Sequence, residues 1–99
     1  MELYEWKERT AEERKKTGKV AATEHADILN VQLAAGEGIP EHTSQHPVVI
    51  VVQSGRVLFT VEGNELELAP NKLLTIEPNE LHALTAVEDC SLVVLKLKK

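Results

Sequence analysis

Three of the four histidines in this 99-residue chain stand just ahead of apolar stretches. His42 and His46 precede the run Val48 to Val52, and His82 lies in EPNELHAL, ahead of a second run. A neutral imidazole suits divalent zinc, iron, nickel, copper or manganese. Three such ligands with positions left open make a catalytic rather than a structural metal geometry. Strand residues an even number apart share a face. A regular strand would therefore point His42, Ser44, His46, Val48, Ile50 and Val52 one way, with His82 completing a three-histidine site from a distant strand. The alternative is that His42 and His82 are the hydrogen-bonding lining of a pocket, with His46 turned outward by Pro47.

Other reactive side chains read as ordinary. Glu41, Glu77 and Glu80 lie near the histidines and could orient them or act as bases, although turn positions favour solvated carboxylates. Gln53 has the wrong parity to join His42 unless a bulge intervenes. His25, between Glu24 and Asp27, reads as a surface residue, and Thr60 and Thr75 as structural. Cys90 is the lone cysteine, so no intrachain disulfide forms. Glu88 and Asp89 before it disfavour a thiolate, so a buried, inert thiol is expected. There is no Ser-His-Asp order, Gly-rich phosphate loop or Cys-x-x-Cys.

The length fits one domain. A formal net charge of −5 argues against nucleic acid, which needs a basic face. The basic clusters are confined to Arg14-Lys15-Lys16 and Lys96-Lys98-Lys99. MELYEWKERT does not resemble a secretory signal, and no stretch approaches the roughly 20 apolar residues of a membrane helix. A soluble, cytoplasmic protein without membrane contact is the expectation.

The elements that must position the histidines are short strands. Residues 1–18 read as an N-terminal arm or short helix, because Thr10 to Glu13 has the capping-box pattern and Gly18 could end a helix. Leu3, Tyr4 and Trp6 could pack on a sheet edge or a second subunit. From residue 19 to 99 the pattern is one β domain. Strands are expected over 19–24, 27–35, 48–52, 56–62, 65–68, 72–77, 81–87 and 90–97. In the second, Leu29, Val31 and Leu33 form one buried face. Val48 to Val52, apolar throughout, reads as a strand covered on both faces. Leu66 and Leu68 are expected inside. Ser54-Gly55 reads as a turn with 56–62 returning, and Gly63-Asn64 as a tight hairpin. This spacing predicts an all-β antiparallel sandwich or barrel.

These motifs resemble the cupin superfamily, small β-barrels of jelly-roll type. Gly36, His42 and Gly55 fall on the spacing of the family's first motif; Ser44 and Val48 stand where its second histidine and its glutamate would be. In the second motif Pro78 and His82 match, while Lys72 replaces a glycine. The tail LHALTAVEDCSLVVLKL looks like the closing strands of small single-domain cupins. The resemblance implies a jelly-roll barrel over about residues 27–97 and a divalent transition metal inside it; His42 and His82 fall on its ligand positions, and His46, an addition to the motif, joins them through the strand parity above. If the protein is an enzyme, the family implies metal-dependent oxygenation, isomerisation or decarboxylation of a small organic acid. The competing expectation is a non-catalytic module that binds a small molecule or mediates dimerisation. Exposed sheet edges make a homodimer the expected assembly.

Overall fold

The computed structural model describes residues 1–98. Its strands are β1 (Lys15–Ala22), β2 (Ala26–Leu33), β3 (Gly38–His42), β4 (Val48–Ser54), β5 (Val57–Val61), β6 (Asn64–Leu68), β7 (Leu73–Ile76), β8 (His82–Ala86) and β9 (Cys90–Leu97). They form a five-stranded sheet, β1-β2-β9-β4-β7, and a four-stranded sheet, β3-β8-β5-β6, and every pairing is antiparallel. Beyond the β1–β2 and β5–β6 hairpins, each connection carries the chain from one sheet to the other. This alternation is the jelly roll that the strand pattern predicts. The core lies between the sheets, where Leu33, Phe59, Ile76, Val57 and Leu92 are almost wholly buried. Their alternation with outward residues gives each sheet one apolar face, and the two faces close on each other.

Among the described residues there is no helix. The capping contacts of Thr10 and Glu13 do form: the Thr10 N–H and hydroxyl both donate to Glu13 Oε1, at 3.0 and 3.1 Å. They close a turn, not a helix start. With no apolar stripe to bury, the following residues gain more from pairing with β2, in register from Lys15 opposite Leu33 onward. The barrel therefore begins at Lys15, inside the stretch expected to be an arm.

The arm proper lies against its own sheet. The Gln32 amide accepts from the Arg9 N–H at 2.6 Å and donates to the Lys7 carbonyl at 2.8 Å. The Arg9 guanidinium meets Asp89 at 3.1 Å. Beneath the arm, Gln32 also donates to Asn30, and Asn30 to Ser91 and the Leu92 carbonyl. Asn30 and Gln32, on the β2 face away from the core, are thus buried with their polar groups paired.

Four local expectations change. Val48–Val52 alternates, with Val48, Ile50 and Val52 buried and Val49 and Val51 only half-buried, so one face of β4 looks outward. Leu66 is exposed because β6 is a sheet edge. Ser54-Gly55 does not close a hairpin, since β4 and β5 belong to different sheets. The β5–β6 hairpin turns at Glu62-Gly63, both with positive φ (47° and 82°), one residue earlier than the sequence suggests.

Gly55 is required for two reasons. Its φ is +80°, and an added Cβ would collide with the Asp89 carbonyl oxygen and lie 2.8 Å from Cys90 Cα. Gly36, at φ +89°, has open space around it. Gly55→Ala is expected to cost about 3 kcal/mol or more, combining strain with the clash, and Gly36→Ala only about 1–2 kcal/mol. Urea unfolding of the two variants measures the order; equal losses would contradict it.

Candidate functional site

His82 opens β8 and sits between two neighbours in the four-stranded sheet, opposite Val61 of β5 and His42 of β3. Its partner is placed by an irregularity. Ile39 stands opposite Leu84, so a regular ladder would set Glu41 opposite His82, yet His42 takes that place. One extra residue is accommodated on β3 between Ile39 and His42, a β-bulge on an edge strand. Pro40 lies in it, where its missing N–H costs no ladder bond. The bulge turns the imidazole rather than the Glu41 carboxylate toward the interior that Ile39 also faces.

The two rings meet edge to face with centroids 4.2 Å apart and an interplanar angle of 60°. Each is oriented by the same contact. His42 Nδ1 lies 2.9 Å from the Pro40 carbonyl oxygen, and His82 Nδ1 lies 2.8 Å from that of Glu80. A carbonyl oxygen only accepts, so both Nδ1 atoms carry the proton. In the neutral rings this leaves each Nε2 with a free lone pair. The supporting loops are tied together: the Asn79 N–H donates to the Ser44 carbonyl at 2.8 Å, with Asn79 at φ 67° in the turn before His82. His82 is 5% exposed, whereas His42 stands at the rim and is exposed.

The rings line one end of a cavity of about 280 Å³ between the sheets. Its walls are chiefly apolar, including Leu29, Val31, Ile50, Phe59, Leu84 and Leu92, with Thr43 and Ser44 near the histidines. His46 does not line it. The chain leaves β3 after His42 and enters β4, in the other sheet, at Val48, so the two histidines never share a regular strand. His46 is exposed in the intervening loop, its N–H donating to Ser44 Oγ at 3.3 Å. Among the described residues no group of three or more His, Cys, Asp or Glu side chains could hold a metal ion. Of the remaining positions that the resemblance points to, Ser44 offers a hydroxyl, and Val48 is core, 3% exposed. The donor set therefore stops at two imidazole nitrogens, short of the three or four protein ligands of a resident transition metal.

The family model for the Cupin domain matches residues 29–96. The chain belongs to the cupin family. Cupin structures share its fold: one from Desulfovibrio desulfuricans superposes with a TM-score of 0.84 at 22% identity, over 98% of this chain and 96% of that one. A cupin superfamily protein from Desulfitobacterium hafniense gives 0.83 at 16%, covering 92% and 84%. KdgF from a Halomonas species gives 0.81 at 19%, covering 99% and 87%. At these identities the likeness speaks for fold alone. No curated protein matches the sequence.

Two features of this cupin site escape a linear reading. The bulge at Pro40 breaks the parity on which the His42–His46 pairing rests. Lys96 also lines the cavity; the signal was present, since Leu92, Val94 and Lys96 alternate along one face of β9, but the residue reads as part of a basic tail. Cys90, 6% exposed, is held in its thiol form, its pKa raised by burial first and by the neighbouring Asp89 charge second. A thiol reagent such as DTNB is expected to label it slowly in the native chain and at full rate after unfolding. Rapid native labelling would contradict that placement.

Proposed function

We propose that this cupin binds one small organic molecule inside the barrel, its apolar body between the sheets and a polar group on the Nε2 atoms of His42 and His82. The observation that supports this is the pairing of a mostly apolar cavity with two imidazoles whose Nδ1–H groups are already committed to backbone carbonyls. Pockets that take small molecules have this composition, apolar walls with a few fixed polar groups. At about 280 Å³ the volume lies just below the roughly 300–1,000 Å³ usual for such sites, so the ligand is compact.

A second reading is favoured by the orientation of the rings. Metal-bound imidazoles commonly donate their other N–H to a carbonyl or carboxylate, as both rings do here. A divalent transition ion could rest on the two Nε2 atoms, with its remaining positions supplied by the ligand. His42 and His82 would then hold the ion and Ser44 would stand beside it.

The test is NMR titration with small six-carbon probes that can donate a hydrogen bond to Nε2 (hexanamide and hexan-1-ol) of the wild type, Val94→Phe, which narrows the cavity, and His82→Gln. Shifts concentrated on the cavity lining, lost in Val94→Phe and weakened about tenfold in His82→Gln, are expected, the latter from loss of a buried hydrogen bond worth about 1–2 kcal/mol. Shifts elsewhere, or unchanged binding in Val94→Phe, would overturn the ligand reading. Nickel or zinc taken up stoichiometrically by the wild type and lost in a His42→Ala, His82→Ala double variant would establish the second.

A further inference from the structure

The histidine end of the cavity offers acceptors where a ligand's head group would sit. Both Nδ1–H groups are committed to backbone carbonyls, so His42 and His82 present only the lone pairs of Nε2. Among the described residues no enclosed side-chain nitrogen or oxygen lacks a hydrogen-bond partner. His82 Nε2 has no partner and its residue is only 5% exposed, so the atom opens into the cavity that the ring lines. With ring centroids 4.2 Å apart, the second acceptor stands beside the first.

A donor stands next to them. Ser44 lines the same cavity and is half-buried. Its Oγ accepts from the His46 N–H at 3.3 Å, and its carbonyl accepts from the Asn79 N–H at 2.8 Å, which holds the residue against the loop that leads to His82. Among the described residues the Ser44 hydroxyl donates to nothing, so its proton is free. The site is therefore two acceptors and one donor. A carboxylate brings only acceptors to it. An alkylammonium brings donors, but no acidic residue lines the cavity, and Lys96 of the facing sheet carries the same charge. A buried charge without a counter-charge is strongly disfavoured. An alcohol has one proton and leaves one Nε2 unpaired. A primary carboxamide has two N–H donors and a carbonyl acceptor, which matches all three groups.

We infer that the ligand of this cavity is a compact apolar molecule ending in a primary carboxamide, with its N–H groups on Nε2 of His42 and His82, its carbonyl on the Ser44 hydroxyl and its apolar part against Val31, Ile50 and Phe59. This inference rests on the ligand-binding reading above and adds the chemistry of the head group and a residue that selects for it.

The experiment compares hexanamide with heptan-2-one, in which a methyl group replaces the amide nitrogen at nearly the same shape, by NMR titration in mildly alkaline buffer. It uses the wild type, His42→Ala and Ser44→Ala. Each probe has its own cost of leaving water, and that cost cancels when one probe is compared between wild type and variant. His42→Ala is expected to weaken hexanamide about three- to tenfold, as befits one hydrogen bond, and to leave the ketone within about twofold. Ser44→Ala is expected to weaken both probes about three- to tenfold, because both keep the carbonyl. Equal losses of the two probes in His42→Ala, or undiminished hexanamide binding in Ser44→Ala, would overturn the carboxamide inference while leaving the cavity as a ligand site. Absence of shifts in the cavity lining with either probe at millimolar concentration would overturn both. His42 is exposed and Ser44 lies in a loop, so neither substitution opens the core, and unchanged resonances around Phe59 in the free variants verify that.

Discussion

The site depends on one repeated interaction, an imidazole Nδ1–H held by the carbonyl two residues before it. His42 makes this contact with Pro40 and His82 makes it with Glu80. The contact fixes the ring's orientation and its tautomer together, which leaves the Nε2 lone pair free. The surrounding structure serves this arrangement. The bulge on β3 brings His42 opposite His82, the Ser44–Asn79 bond joins the two loops, and the β5–β8 pairing holds His82 from its other side. Because the contacts are backbone-directed, they hold only while the ladder register holds.

The five-stranded sheet supplies the opposite wall and is stabilised differently. Its outer side carries a buried polar chain from Ser91 through Asn30 to Gln32, closed by the arm's own backbone at Lys7 and Arg9. An unpaired buried amide costs about 1–3 kcal/mol, so removing the arm would expose these groups to competition from water and loosen β2 against β9. β2 and β9 carry Leu29, Val31, Leu92, Val94 and Lys96, so the arm supports the cavity from behind without touching it.

Much of the fold was legible in the sequence because alternation and turn residues are local signals. Leu29, Val31 and Leu33 mark one strand and Pro78-Asn79 the turn before His82, and both lie where that reading puts them; Gly63 marks a hairpin whose turn falls one residue earlier than read. The glycine and proline spacings that resemble the cupin motifs also have physical grounds: Gly55 packs against the Asp89–Cys90 backbone with no room for a Cβ. The site was legible only in part. His42 and His82 meet as expected, but pairing His46 with them assumed an unbroken strand, and the chain changes sheets between the two residues. A one-residue bulge reverses parity and leaves no mark in composition. Of the two readings of residues 1–18, arm or short helix, the helix does not form for a related reason: the Thr10–Glu13 cap is real, but the residues from Lys15 pair with β2 instead.

The central claim is that both imidazoles are Nδ1-protonated, with Nε2 free at the end of the cavity. Long-range ¹H–¹⁵N correlation NMR of the histidine side chains, assigned through His42→Gln and His82→Gln, tests it directly. His42 and His82, when neutral, are expected to show protonated-type Nδ1 and unprotonated-type Nε2 shifts, while exposed His46 shows the tautomer mixture of a solvated ring. An Nε2-protonated His82, or a His82 with the averaged pattern of His46, would contradict it.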